Sequence, residues 1–340
     1  YQQIGGLDAF DADGTRNSNP AVFILTEGTY FCMIAESEGE AALFDAPEGS
    51  FVKSSDVYPT DSWIPESIHA LIGEGTRLKT IVYSHTHWDH VGAAGIVAEA
   101  FKDDYPVVVG SKASREWVVE RNMEDPATIL GNNRGIPVST SFTDRKSIEV
   151  GGLKFKLEEL GAHQSGDITV YLDKTSDMNY KRGITQSVLM VVDVIFPGWI
   201  PFFNLAVASD VGGYLKGLDK IYEFDFDIIV GGHISRLGTK EDVKTMIDFF
   251  ADVTQGAIEG LAVTSAADIA ARTGVFDPTN ANAGNIWLLF NEFFERVVDV
   301  CVDYVLDAMN RGRDWTAELA GVDVTIRSQC WSMQSFIRIA

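Results

Sequence analysis

Apolar and polar positions alternate in short runs near the start of the chain. Ala21 to Thr26, Tyr30 to Ala35 and Ala41 to Phe44 are β-rich, and the turn signals Glu27-Gly28 and Glu38-Gly39-Glu40 separate them. This pattern predicts successive hairpin strands. Leu78 to Ser84, with Thr80-Ile81-Val82-Tyr83 inside it, reads as a buried strand, followed by a His-rich loop and a helical run from Val91 to Phe101. Pro106 to Val109 is a further strand, and Ser111 is placed to cap a helix running to Arg121. Ile148 to Leu157, centred on Gly151-Gly152, predicts another hairpin, and Ile168 to Leu172, Ser187 to Val192 and Phe226 to Val230 predict interior strands.

The pattern changes after about residue 238. Lys240 to Ala251, Ser265 to Arg272 and Asn285 to Met309 read as helices, and a strand signal returns only at Val322 to Ile326. In Asn285 to Met309 the apolar residues recur with the helical period over a wide face, which predicts packing on the core or on a twin subunit. The opposite face carries Glu292, Glu295, Asp299, Asp303 and Asp307, which anionic lipid would repel. Residues 1–238 are thus expected to form one domain. Residues 239–340 are expected to be a mainly helical extension that covers the mouth of a site, builds a homodimer through the C-terminal helices, or does both.

Composition narrows the function. Hydrophobic residues make up 46% and charged residues 22% of the 340 positions, the balance of a soluble globular chain. Lys and Arg number 27 against 49 Asp and Glu, giving 27 − 49 = −22. That charge disfavours nucleic acid as a partner, because binding to phosphate backbones depends on cationic side chains. No apolar run reaches the length of a membrane span, so no membrane partner is expected. The three cysteines, Cys32, Cys301 and Cys330, are too scattered for a disulfide framework and read as small core residues. A bridge between Cys301 and Cys330 is open but not favoured. The first residue is Tyr1 rather than Met, which fits a trimmed chain or a processed precursor and leaves the compartment open.

The six histidines are unevenly placed. Three fall in Ser84-His85-Thr86-His87-Trp88-Asp89-His90, directly after a buried strand and before a helix. A loop at a sheet end can aim four imidazole and carboxylate groups at one point, a donor set suited to zinc and related divalent ions. His69, in the helical stretch Pro65 to Ala70, reads as an ordinary packing or surface residue.

The His-x-His-x-Asp-His loop resembles the signature of the metallo-β-lactamase superfamily. Gly161 to Asp167, with His163, is similar to that family's third-His loop; Val191 to Gly198, with Asp193, to its bridging-Asp segment; and Ile229 to His233 to its final-His turn. Leu43 to Gly49, with Asp45, is similar to a strand ending near the family's site. The resemblance covers roughly residues 20–238 and implies an α/β fold, a four-layer αββα sandwich with an extra C-terminal helical region. It also implies a binuclear centre of two divalent ions per chain, zinc ahead of iron or manganese. His85, His87 and His163 would hold one ion, and Asp89, His90 and His233 the other, with Asp193 bridging. Asp89 would also steer the nucleophile, a metal-bridging hydroxide, while Asp45 and Ser84 would orient imidazoles. Trp199, Phe202 and Phe203 are expected to contribute to a hydrophobic wall for a small-molecule substrate, and Trp88, inside the motif loop, either to line the pocket or to brace it.

Within the family's activities, efficient β-lactam hydrolysis is disfavoured, because the dinuclear lactamases resembling this motif place Cys where Asp193 stands. The flavodiiron branch has Glu where this chain has His87. The ranking that results puts a lactonase, carboxylic esterase or thioesterase first. A mononuclear iron sulfur dioxygenase, a weak β-lactamase and a non-catalytic binding module stand as alternatives.

Overall fold

The computed structural model describes residues 1–27, 29–47, 64–120, 135–233 and 236–339. Gly28, the Glu48-Gly49 end of the Asp45 segment and Arg121 lie outside the described residues.

Two sheets form the centre. A seven-stranded sheet runs in chain order through β1 (Gln2–Gly6), β2 (Ala21–Glu27), β3 (Tyr30–Ser37), β4 (Glu40–Phe44), β5 (Arg77–Val82), β6 (Val107–Ser111) and β7 (Thr140–Phe142). Its strands pair antiparallel up to β4 and parallel from β4 onward. A five-stranded sheet runs through β8 (Arg145–Val150), β9 (Leu153–Glu159), β10 (Ile168–Leu172), β11 (Val188–Val191) and β12 (Ile228–Val230), with only the β11–β12 pair parallel.

Period-two alternation sorts the strand side chains into layers. Val22, Ile24, Met33 and Phe44 face Phe155, Val170, Leu172, Val188 and Met190 in the core between the sheets. The alternate residues Phe23, Leu25, Ile34, Leu43 and Ile81 face α1 (Ile64–Leu71), α2 (Trp88–Val91), α3 (Ala94–Ala100) and α4 (Lys112–Glu120) through Ile68, Val91, Val97 and Val118. On the far side of the second sheet, Tyr171, Leu189 and Val191 meet helices that follow β11 in the chain. β10 and β11 are buried throughout because both of their faces are covered. Each fully buried Val, Leu, Ile or Phe stabilises this arrangement by about 1.5–3 kcal/mol. The fold is therefore the αββα sandwich expected from the motif pattern, with added C-terminal helices.

The remaining helices are α5 (Asp177–Lys181), a left-handed turn α6 (Phe203–Val207), α7 (Val211–Glu223), α8 (Lys240–Val263), α9 (Ala266–Thr273), α10 (Ile286–Leu306), α11 (Ala308–Arg311), α12 (Trp315–Glu318) and α13 (Val322–Ile339). α8 packs against α7, α10 and α13. Gly260 permits the close approach of α10, since a Cβ there would lie 2.5 Å from the Val297 carbonyl oxygen.

Several elements differ from the sequence pattern. The helix expected from Val91 to Phe101 is broken into α2 and α3, and the one from Asn285 to Met309 stops at Leu306. Val322 to Ile326 is not a strand but the first turn of α13. Its alternating Val322, Val324 and Ile326 mimic a strand, yet Val322 and Ile326 are buried while Val324 is 76% exposed, as the four-residue helical spacing dictates. Cys301 and Cys330 are not separate core thiols but a disulfide joining α10 to α13, and Cys32 is buried and outside that bond. His69 stacks on Phe101 with ring centroids 4.3 Å apart.

Candidate metal centre

Four strand ends and one loop converge at a single edge of the sandwich. β4 delivers Asp45, β5 delivers the loop with Ser84, His85 and His87, and α2 carries Asp89 and His90. The β9–β10 connection carries His163, while Asp193 and His233 follow β11 and β12. The two sheets are tied here by hydrogen bonds from Ile168 N to the Ser84 carbonyl (2.8 Å) and from Phe31 N to the Gly232 carbonyl (2.8 Å).

Asp45 and Asp193 both adopt the left-handed region, with φ of 62° and 61°. Such positions in non-glycine residues persist where surrounding bonds over-determine them. At Asp45 those bonds come from Ser84, whose N donates to Oδ1 (2.7 Å) and whose Oγ donates to Oδ2 (2.6 Å). Ser84 Oγ also lies 3.1 Å from His85 Nδ1, and Asp45 Oδ2 lies 3.5 Å from His90 Nδ1. Ser84 thus lies beside His85, and Asp45 beside His90.

Two donor groups result. His85, His87, His163 and Asp193 form one, and Asp89, His90, Asp193 and His233 form the other; within each, the ligand atoms lie within 4.8 Å of one another. Asp193 belongs to both. Its Oδ2 is 3.4 Å from His85 Nε2, 3.3 Å from His90 Nε2 and 3.5 Å from His163 Nε2, and its Oδ1 is 2.8 Å from His233 Nε2. Asp89 Oδ2 stands 3.6 Å from the Nε2 atoms of both His90 and His233.

The donor set fits divalent ions. His87 Nδ1 and His163 Nε2 lie 3.0 Å apart, as do His90 Nε2 and His233 Nε2, so imidazole nitrogens face one another in pairs. Lone pairs opposed in this way need a proton or a cation between them. His85 Nε2 is buried with no hydrogen-bond partner, the state of a nitrogen whose partner is an ion. Burial also favours neutral imidazole, the ligating form, at two positions: it lowers His87 to about 4 and holds His163 well below the usual histidine value. Burial by itself would raise Asp193, but the His90 and His233 charges hold its carboxyl well below the ordinary range. Burial disfavours charge on His90 as well, yet Asp193 and Asp89 raise it well above its normal value.

Residues not singled out from the sequence complete the centre. Asp167 accepts from Gly161 N (2.6 Å) and His163 N (2.8 Å), shaping the His163 loop; burial raises its carboxyl against the lowering effect of those amides. Gln164 Oε1 accepts from Thr86 N at 3.0 Å and so joins that loop to the His-rich one. Tyr30, at the start of β3, packs its ring 4.8 Å from His233 and 5.9 Å from His90, and burial pushes its phenol up. Asp167 carried a sequence signal, four residues after His163. Tyr30 carried none, because its place depends on the bridge between β3 and His233 across the two sheets.

The four aromatic candidates separate. Phe202 sits beside the centre, 6.2 Å from His233 between ring centroids, with Phe196 on the same imidazole at 6.0 Å. Trp88 opens α2 between the ligand positions. Trp199 bridges to Ala320, and Phe203 lines a surface hollow of about 440 Å³ with Asn204, Val324 and Trp331.

A family model described as the metallo-beta-lactamase superfamily matches residues 25–178, which contain the first donor loop and His163. Over those residues the chain is similar to the metallo-β-lactamase superfamily. Among curated proteins, the chain is similar to the 2,4-dinitroanisole O-demethylase subunit alpha of Nocardioides sp. (strain JS1661), 21% identical over 164 residues. That match covers 48% of this chain and 42% of the relative, so the chain spans less than half the length of the relative it matches. Among solved structures it is similar to a metallo-beta-lactamase family protein of Thermus thermophilus, with 16% identity, 86% and 94% of the two chains covered and a TM-score of 0.49. An archaeal superfamily protein of Sulfolobus tokodaii is 14% identical, with 67% and 84% covered and a TM-score of 0.45.

Proposed function

We propose that this chain is a dinuclear metal-dependent hydrolase of a small ester-like carbonyl substrate: a lactone, carboxylic ester or thioester. The observation that carries the reading is the sharing of Asp193 between two complete donor groups. Two divalent ions held there would supply Lewis acidity that brings a water to a reactive state near neutral pH and polarises a carbonyl. No Ser or Cys nucleophile is needed, and Cys32, which lies outside the disulfide, is buried in the helix-facing core.

The remaining chemistry falls to this chain's own groups. Asp89 is the carboxylate placed to hold and pass on a proton, since its Oδ2 faces His90 and His233 while its side chain keeps 16% exposure. Phe196 and Phe202 exclude water on the His233 side and offer an apolar surface to the substrate. Residues 1–238 act as the catalytic domain, and residues 239–340 as an extension that packs on it.

A second reading of the substrate is an aryl methyl ether. The curated relative's name carries 2,4-dinitroanisole, a compound of that class, and phenyl rings flank His233. The test is turnover by metal-loaded protein on a panel of lactones, thioesters, carboxylic esters, β-lactams and 2,4-dinitroanisole, with the ion content measured in parallel. Ester or lactone cleavage that disappears on chelation and returns with zinc supports the first reading. Cleavage of the ether alone selects the second. One bound iron with oxygen uptake on a persulfide overturns both.

A further inference from the structure

We infer that Gln329, on the C-terminal helix α13, is a positioning residue for the substrate wall, locking the left-handed turn at 204–207 so that Phe202 stays against His233. The assignment rests on the hydrolase reading for its link to substrate size, but its structural content stands independently of that reading.

The turn is the unusual feature. Asn204, Leu205, Ala206 and Val207 have φ of 50°, 53°, 56° and 55° in succession. L-residues adopt this conformation at a cost of about 1–2 kcal/mol each, and a β-branched residue such as Val207 is a marked outlier. No glycine relieves the run, so bonds from outside must hold it.

Gln329 supplies them. Its side chain is fully buried and uses both ends: Nε2 donates to the Pro201 carbonyl (2.8 Å) and the Phe202 carbonyl (2.9 Å), while Oε1 accepts from Leu205 N (2.8 Å). Ser328 Oγ accepts from Asn204 N at 3.1 Å, one residue away on each side. The next residue, Cys330, is bonded to Cys301 of α10, which fixes the backbone of α13 from behind.

Both ends of the turn reach the centre. At one end the Phe202 ring covers His233. At the other, Ser209 N donates to the His163 carbonyl at 2.9 Å. One amide side chain thus connects the C-terminal region with the flanks of both donor groups. Releasing it lets Phe202 swing from His233, widening the wall for bulkier substrates without removing a donor atom.

The test compares full-length wild type with Gln329→Met, which keeps the length and removes every hydrogen bond. By hydrogen exchange, amides of residues 198–207 should exchange roughly tenfold or more faster in the variant, while α7 and α8 keep wild-type rates. With p-nitrophenyl acetate, butyrate and hexanoate as probes, KM should shift most for hexanoate, with kcat within about twofold and ion content unchanged. Unchanged exchange at 198–207, faster exchange spread evenly over α7 and α8, or KM values moving in parallel for all three probes would overturn the assignment. If wild type cleaves none of the esters, the ester reading fails and the exchange pattern alone judges Gln329. If Gln329→Met does not fold, Ser328→Ala reads the same exchange at Asn204, with a smaller change expected and no change contradicting it.

Discussion

Asp45 grips Ser84 through both carboxylate oxygens, at 2.7 Å from Ser84 N and 2.6 Å from Ser84 Oγ, and both residues are buried beside His85 and His90. The pair fixes imidazole orientation, and the partners of ligating groups commonly set metal affinity by 10–100-fold. Asp45→Asn should therefore weaken ion binding by about 10–100-fold while leaving far-UV circular dichroism unchanged. Competition against a chromophoric chelator measures this, and wild-type affinity in the variant would remove Asp45 from the account.

The Cys301–Cys330 bond closes a loop with a sequence separation of 29. Chain-entropy reasoning gives such a loop about 3–4 kcal/mol of stabilisation. The double variant Cys301→Ala, Cys330→Ala should lose that amount in denaturant unfolding, and wild type under reducing agent should move the same way. A loss under about 1 kcal/mol would show that helix packing alone secures α10 and α13.

The site was more legible than the fold around it, for a physical reason. Ligand chemistry is local: His85, His87, Asp89 and His90 share one loop, and His163, Asp193 and His233 each follow or precede a run of apolar strand residues. Their convergence needed only the strand ends. Tyr30 and Gln329 act through contacts between distant segments, Tyr30 across the sheets and Gln329 across 124 residues to Leu205, which no local pattern records. The strand expected at Val322 to Ile326 failed because β-branched alternation and helical spacing coincide over so short a run. The cysteine pair stayed open because two residues on separate helices carry no signal of facing one another until α10 and α13 are packed.

At the start of α8, Asp242 accepts from Thr239 N (2.8 Å) and from the Arg236 guanidinium (3.1 Å). Partial burial would raise its carboxyl, but Arg236 and the Thr239 amide lower it below the ordinary carboxylate range. A carboxylate whose folded value is depressed contributes stability above its unfolded value of about 3.9, and that contribution is lost as pH falls through the folded value. Asp242→Asn should cost about 1 kcal/mol at neutral pH, with the difference from wild type shrinking between about pH 5 and pH 1. A pH-independent difference in unfolding free energy would contradict the ionic part of the cap.

The most direct measurement is the ion content of the purified chain by inductively coupled plasma mass spectrometry, for wild type and Asp193→Ala, after equilibration with zinc and removal of free ion. The account predicts about two ions per wild-type chain and at most about one in the variant, because Asp193 serves both donor groups. A wild-type chain that retains none, or a variant that retains as many as wild type, would contradict it.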